Sequence, residues 1–361
     1  MAINSFATGW MTLFKQMRRP TGFLQSFFTV KPGNVYDGKK VAIDIQRFGE
    51  KVAVALKSGT GSNLNDADIV TTKEFEPPAY GEAFPADVSD LIERQAGVDP
   101  HTDAYNGYTG KLVSKIMTYF MLAMDMITRG VEVQASQILQ TGKLVLTGYA
   151  GETRYELDFK AKATHFPTVG TAWSAAGSDK LGDLEALGDV IRADGKVNPD
   201  ILIFGAKALR LFKDDEAVQK QLDNRRMDIG MIAPRQMMTG ATFQGTVWIG
   251  SYEYQMWSYP EGYEDPQTGD FTKYVEDDNV IMLSSNTRFD RTSARVPLPL
   301  GPDPRVAALV PGRLVDRSID LDVTPNLWCT PSGEQIMADL KSKPLLVPVQ
   351  IDGFGCLNTQ P

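Results

Sequence analysis

The sequence predicts an α+β protein of elongated outline, and three observations carry that expectation. Residues Tyr108 to Thr141 form a single amphipathic stripe of helical spacing. Strand-like alternation fills segments before and after it, and from Asp200 onward short strands and helices take turns. In the stripe, apolar residues fall at Leu112, Ile116, Phe120, Met124, Ile127, Val131, Ala135 and Ile138, always three or four apart. At about 1.5 Å per residue such a helix is about 50 Å long, and a compact globule of this chain length is also about 50 Å across. One helix would span the molecule, which suits a plate-like subunit better than a round enzyme built about a pocket. Gly130 is its weak point. A glycine inside a helix costs about 1 kcal/mol relative to alanine, so a kink or break is expected there.

Residues 1–38 read as an arm, in which Phe6, Trp10, Phe14, Phe23, Phe27 and Phe28 are scattered among glycine, proline and basic residues. A segment this aromatic is not left in water; it packs either on its own core or on a neighbouring subunit. Residues 39–84 read as a hairpin: VAIDIQRF and KVAVALKS alternate, Gly59 to Asn63 turn, Asp68 to Phe75 return, and Pro77-Pro78 ends the run. An isolated hairpin is marginal in water, so it must lie against something else, a neighbouring chain being the natural candidate. Val88 to Val98 reads as a short helix. After Gly142 comes a hairpin of Lys143 to Thr147 and Thr153 to Phe159, then a helix from Leu184 to Arg192 with Asp183 as its N-cap.

Ile201 to Phe204 is a short buried strand, followed by helices at Ala206 to Phe212 and Glu216 to Asn224. Strands are expected at Thr242 to Ile249, Tyr252 to Tyr259 and Val280 to Ser284, with a turn at Asp265 to Asp270 and a return beginning at Phe271. Residues 293–312 look like a connector. The end alternates at Ser318 to Val323 and Leu345 to Ile351, with a short helix around Gly333 to Asp339 between them.

The 361 residues are 42% hydrophobic and 23% charged, with a net charge of -8. That is ordinary for a soluble globular protein with a core. Broad nucleic-acid binding needs a basic face. The acidic balance argues against it, leaving only Lys15, Arg18 and Arg19 as a local basic cluster. Cys329 and Cys356 read as reduced, half-buried thiols of a cytosolic protein. In the first twenty residues the basic groups follow the apolar ones, the wrong order for a secretory signal. No run reaches the roughly 18 apolar residues of a membrane helix.

Chemistry-bearing patterns are sparse. His101 and His165 lie far apart without metal-ligand spacing around either, and both read as surface or satisfied structural residues. No Gly-x-Ser-x-Gly elbow or phosphate loop occurs; Gly107-Tyr108-Thr109-Gly110-Lys111 has the wrong spacing. Asp214-Asp215-Glu216 sits at a helix start, where carboxylates suit the dipole. Asp320 and Asp322 would share one strand face, and a cation there is the basis of a rival reading as a metal-dependent hydrolase. Pairing with Arg313, Arg317, Arg225 or Arg226 is the plainer account. No catalytic, cofactor-binding or metal-binding residue is assigned. What remains is a chain that completes its packing with copies of itself.

A series of segments then falls in a telling order: Leu139-Gln140-Thr141-Gly142-Lys143, Leu146-Thr147-Gly148, Tyr155-Glu156-Leu157-Asp158-Phe159, and Gly170-Thr171-Ala172-Trp173-Ser174. After them come Asp183-Leu184-Glu185-Ala186, Ile203-Phe204-Gly205 before a helix with Leu209 and Phe212, and the run from Ala217 to Arg226. In order and spacing these resemble the major capsid protein of long-tailed bacteriophages, the lambda-type capsid protein E family, most clearly over residues 135–230. The resemblance implies the Hong Kong 97-type fold. Its parts would be an N-terminal arm (1–38), an extended loop (39–90), a peripheral domain with the spine helix (91–175), an axial domain (176–318) and a return to the peripheral domain (319–361).

It also implies a structural protein without enzymatic activity or cofactor, assembling as hexamers and pentamers into an icosahedral head around double-stranded DNA. Such a protein belongs in the virion, is assembled in the host bacterial cytoplasm, and contacts DNA without sequence specificity and without a membrane. Portal, scaffolding and decoration proteins are candidate partners. Trp10, Phe14, Phe23, Phe27, Phe28, Arg225 and Arg226 are the candidate contacts between subunits. An encapsulin-like nanocompartment shell is the near alternative.

Overall fold

The computed structural model describes residues 22–36, 41–46, 70–87, 108–148, 152–222, 230–231, 235–236, 240–296, 303–309, 323–333 and 335–361. The first strands are β1 (Thr29–Tyr36), β2 (Val41–Gln46), β3 (Val70–Phe75) and β4 (Tyr80–Asp87), followed by the long helix α1 (Tyr108–Thr141). Then come β5 (Lys143–Thr147), β6 (Thr153–Asp158), α2 (Lys180–Gly195), β7 (Ile201–Phe204), α3 (Ala206–Lys213) and α4 (Glu216–Leu222). Next are β8 (Gly230–Met231), β9 (Arg235–Gln236), β10 (Thr242–Ile249), β11 (Tyr252–Ser258), β12 (Gly262–Glu264), β13 (Phe271–Lys273), β14 (Asn279–Leu283) and β15 (Phe289–Ala294). The chain closes with α5 (Pro304–Leu309), β16 (Val323–Cys329), β17 (Gln335–Ser342), β18 (Pro344–Pro348) and β19 (Phe354–Asn358).

The largest sheet runs β19-β14-β7-β11-β10-β8, with β9 also on β10. Only β7 and β11 pair in parallel along this path; the other neighbours are antiparallel. Its central strands are apolar on both faces, which is why Ile201 to Phe204 reads as a continuous buried run rather than an alternation. Leu202, Phe204, Val280 and Met282 face a core shared with Leu184, Leu187 and Ile191 of α2 and with Phe212 of α3. Ile201, Ile203, Ile281 and Leu283 face the opposite way, into a core shared with Val131, Ala135, Ile138 and Leu139 of α1.

The N-terminal half of α1 serves a different core. Leu112, Ile116, Phe120, Met124 and Ile127 pack with Leu327, Ile336 and Leu340 of a three-stranded sheet ordered β16-β17-β4. One helix thus ties two cores together, and all eight residues of the predicted stripe are buried. The expected break at Gly130 is absent, and the helix is continuous from Tyr108 to Thr141. Glycine is required there by a close approach: a Cβ would lie 2.9 Å from a Tyr80 ring carbon. The Tyr80 hydroxyl donates to the Gly130 carbonyl at 3.3 Å and accepts from Gln134 Nε2 at 2.8 Å.

Other elements depart from expectation for local reasons. The helix after Trp173 starts at Lys180 rather than Leu184 because Asp179, not Asp183, is its N-cap, accepting the Gly182 amide at 2.9 Å. Asp183 instead accepts the Trp173 indole N–H at 2.9 Å. The short helix placed at Gly333 to Asp339 is a turn and strand: Gly333 takes φ +80° in the β16–β17 connection, and Ile336, Ala338 and Leu340 alternate into the core. The 293–312 connector contains the end of β15 and the helix α5.

Tyr80–Asp87, which fell within the expected extended loop, pairs along its full length with Gln335–Ser342. The C-terminal segment serves several places: β16 and β17 join β4, β18 joins β15 and β1, and β19 edges the large sheet. The strand KVAVALKS, the helix at Val88 to Val98 and most of the run Ser318 to Val323 lie outside the described residues.

Buried stripe residues and outward ones should respond differently to truncation. Ile116→Ala or Ile138→Ala is expected to cost about 2–5 kcal/mol in urea unfolding of the unassembled subunit. Leu122→Ala, on the open face, is expected to change it by no more than about 0.5 kcal/mol.

Candidate functional site

The root of the N-terminal arm is where sequence-predicted contact residues and tertiary structure meet. Gly22 to Phe28 leads through a single 3-10 turn (Gln25–Phe27) into β1, which runs parallel to β15. Phe23 lies 5.3 Å from Phe27, 5.3 Å from Trp257 and 5.4 Å from Tyr259, ring centre to ring centre, and Phe28 lies 5.1 Å from Phe289. Phe23 and Phe28 are only 6% and 3% exposed, and Phe27 is half-buried. Of the two readings open for this segment, packing on the chain's own core is the one found at Phe23 and Phe28. The rings lie in the chain's own core because β1 is drawn into the sheet with β15, so they fasten the base of the arm. Trp10, Phe14, Arg225 and Arg226 lie outside the described residues, as do His101, Lys15, Arg18, Arg19, Asp320 and Asp322.

Sequence reading missed the polar seam that holds this region. Glu132, Ser136 and Gln140 are four residues apart on one side of α1, the first facing the arm root and the other two facing residues 274–279. Glu132, 2% exposed, accepts the amide of Leu24 at 2.7 Å and that of Gln25 at 3.0 Å. The Tyr259 hydroxyl and the Phe23 amide lie near the carboxylate and also favour its charged form. Burial raises the Glu132 carboxyl above its ordinary range, and these donors oppose the shift. The Ser136 hydroxyl donates to the Tyr274 carbonyl, and Gln140 Nε2 donates to the same oxygen at 2.9 Å. Gln140 Oε1 accepts from the Glu276 amide at 3.1 Å and from Asn279 Nδ2 at 3.0 Å. The four-residue spacing was the available signal, hidden because only apolar residues define a hydrophobic stripe.

Outward, two apolar areas stand open among the described residues. On α1, Met121, Leu122 and Met126 are 52%, 47% and 38% exposed on the side away from the core. On the β16-β17-β4 sheet, Trp328, Met337 and Pro85 are direct cross-strand neighbours on the face turned from α1. Clustered exposed apolar groups of this kind mark interaction surfaces. β2 and β3 form a separate antiparallel pair, as the sequence suggests for these two strands. Phe75, at the end of β3, packs 6.2 Å from Phe159.

The groups that could suggest chemistry have structural partners. His165 is fully buried, with Nδ1 2.9 Å from the Phe354 carbonyl and Nε2 3.2 Å from Asp194 Oδ2. Lys162 pairs with the other Asp194 oxygen at 2.6 Å. The Lys162 hydrogen bond first, and His165 after it, hold the Asp194 carboxyl below the usual carboxylate range against partial burial. Lys180 and Asp215 form a largely buried pair at 2.9 Å. Cys329 and Cys356 are free thiols, fully rather than half buried. Among the described residues no three His, Cys, Asp or Glu side chains are grouped to hold a metal, and no helix is long and apolar enough to cross a membrane.

With this geometry in hand, the comparisons are informative. The family model described as phage major capsid protein E matches residues 12–354. A crystal structure described as the capsid protein of a prophage in Escherichia coli CFT073 is similar with a TM-score of 0.63 at 18% identity, covering 99% of both chains. A phage-related protein from Bordetella bronchiseptica RB50 gives a TM-score of 0.48 at 12% identity, over 99% of this chain and 98% of that one. An encapsulin from Synechococcus elongatus PCC 7942 gives 0.46 at 8% identity, over 97% and 95%. Among curated proteins nothing matches.

The Asp194 cluster yields a prediction with a sign. A carboxyl held below its unfolded value of about 3.9 contributes stability above that value and loses it as pH falls through the folded pKa. Asp194→Ala should therefore destabilise the unassembled subunit near pH 7 by about 1–3 kcal/mol, leaving His165 without its carboxylate. The gap from wild type should narrow below about pH 4 in unfolding titrations; a gap that widens in acid would refute the assignment.

Proposed function

Since this chain belongs to the phage major capsid protein E family, we propose that it builds the icosahedral head of a tailed bacteriophage from hexameric and pentameric capsomers around double-stranded DNA. The family membership makes it a structural capsid protein of the virion, with the Hong Kong 97-type fold and a shell of its own copies as its product. The match from residue 12 to residue 354 is the observation that carries the finer reading, because it spans arm, loop, spine helix and C-terminal strands together.

The proposed division of labour follows the resemblance. Residues 176–318 meet about the symmetry axes as the axial domain, 91–175 and 319–361 form the peripheral domain, the part of the loop (39–90) before β4 lies over a neighbour, and the part of the arm (1–38) before Gly22 clasps another. Trp10, Phe14, Arg225 and Arg226 are proposed contacts, and the open apolar residues of α1 and of the β16-β17-β4 sheet are further ones. Each contact can be weak, since a shell subunit makes many at once. The net charge of -8 suits a container whose lining lets packed DNA slide. Portal, scaffolding and decoration proteins are proposed partners, and the host cytoplasm is the proposed place of assembly.

Negative-stain microscopy of the overexpressed full chain tests this reading. Closed shells or ring-shaped capsomers are expected; uniform compact monomers at high concentration would overturn it. Terminase, portal and head-protease genes beside this one would assign the shell to a phage head, and a cargo-enzyme gene would assign it to a nanocompartment.

A further inference from the structure

Three aromatic or aliphatic side chains, Phe23, Leu24 and Phe28, bury the root of the arm, but apolar packing is non-directional and tolerates sliding and rotation. The carboxylate of Glu132 is directional. It comes from the middle of α1, more than a hundred residues away in sequence, and accepts the consecutive amides of Leu24 and Gln25, one on each oxygen. Two successive N–H groups meet the two oxygens of one anion only in a narrow range of local backbone conformation, so the carboxylate dictates both the register of the root on α1 and the heading of the chain before it.

Gly22 completes the fit. A Cβ at this position would lie 2.0 Å from Glu132 Oε2 and 2.4 Å from its carboxyl carbon, so the chain passes directly over the carboxylate. Tyr259 lies close to the carboxylate and is stacked on Tyr274 at 5.7 Å. An apolar residue at 132 would fill this space without the desolvation cost of a buried charge. The charge is retained at a place where it orients a chain segment.

We propose that Glu132 is the positioning residue that fixes where and in what direction the N-terminal arm leaves the subunit. The clasp is a property of the single subunit. Its consequence for assembly, that a fixed exit delivers residues 1–21 to a neighbouring copy, rests on the capsid reading above.

Hydrogen exchange on the unassembled full chain tests the clasp. In Glu132→Ala the amides of Leu24 and Gln25 should exchange at least about tenfold faster, the loss expected for charge-assisted hydrogen bonds. Amides of β7 and β14 should keep their wild-type protection. Glu132→Gln, which keeps one acceptor oxygen but sets an NH2 group against the other amide, should fall between. Gly22→Ala should open the same amides in the wild-type background and add nothing in Glu132→Ala, where the obstructing carboxylate is gone. Unchanged exchange at Leu24 and Gln25, an equal rise throughout the chain, or additive effects of the two substitutions would each overturn the proposal. Shell formation by the same variants is scored separately: an opened root with normal shells would retain the clasp and refute the arm as an assembly contact.

Discussion

A sheet that is apolar on both faces has to be covered twice, and the rest of this molecule is arranged to do so. β7 and β14 place Leu202, Phe204, Val280 and Met282 on one side and Ile201, Ile203, Ile281 and Leu283 on the other. The first side is closed by α2, α3 and α4, which lie nearby in sequence. The second is closed by the C-terminal half of α1, by β5 and β6, and by aromatic residues from the arm root, all drawn from earlier in the chain. Because α1 continues beyond the sheet, its N-terminal half needs its own cover, which β4, β16 and β17 supply. The length of the helix and the existence of a second core are therefore one fact.

Covering the sheet with a helix also creates a polar problem. Around residues 131–139 α1 is enclosed on nearly every side, and Glu132, Gln134 and Ser136 are buried with it. A buried polar group without a partner costs about 1–3 kcal/mol. Main-chain groups of different segments meet the Glu132 carboxylate (the arm root), the Ser136 hydroxyl (the Tyr274 carbonyl) and the Gln134 amide nitrogen (the Pro344 carbonyl), while Gln134 Oε1 stays without a partner. These bonds are what tie otherwise unrelated segments to a common spine, and they give the arm a defined origin.

Among the described residues, the groups that could suggest chemistry hold elements of the fold together. The buried His165–Asp194–Lys162 group joins the segment before α2 to the end of α2 and to β19, so its chemistry serves the joint between elements. Cys356 lies in the core with its thiol pushed upward by burial, which keeps it in the unreactive protonated form. Open apolar residues stand on the outer face of α1 and on the free face of the β16-β17-β4 sheet, and also singly at Val30, Trp248 and Phe271.

The sequence by itself determined the elements whose signal is local. The stripe from Leu112 to Ile138 set α1 to the residue, because helical periodicity over 34 positions has no competing reading. The hairpin after Gly142 and the strands from Ile201 to Leu283 were legible for the same reason, and the order of short motifs was enough to indicate the family. Tertiary structure decided what depends on distant partners. Gly130 sits in an unbroken helix because Tyr80 packs over it. Gly333 to Asp339 is turn and strand because β4 and β16 flank it. Phe23 and Phe28 turn inward because β1 finds β15. Glu132 reads as one more acidic residue until the chain brings two amides to it from more than a hundred residues away, since a hydrogen bond between remote segments leaves no periodic trace in either.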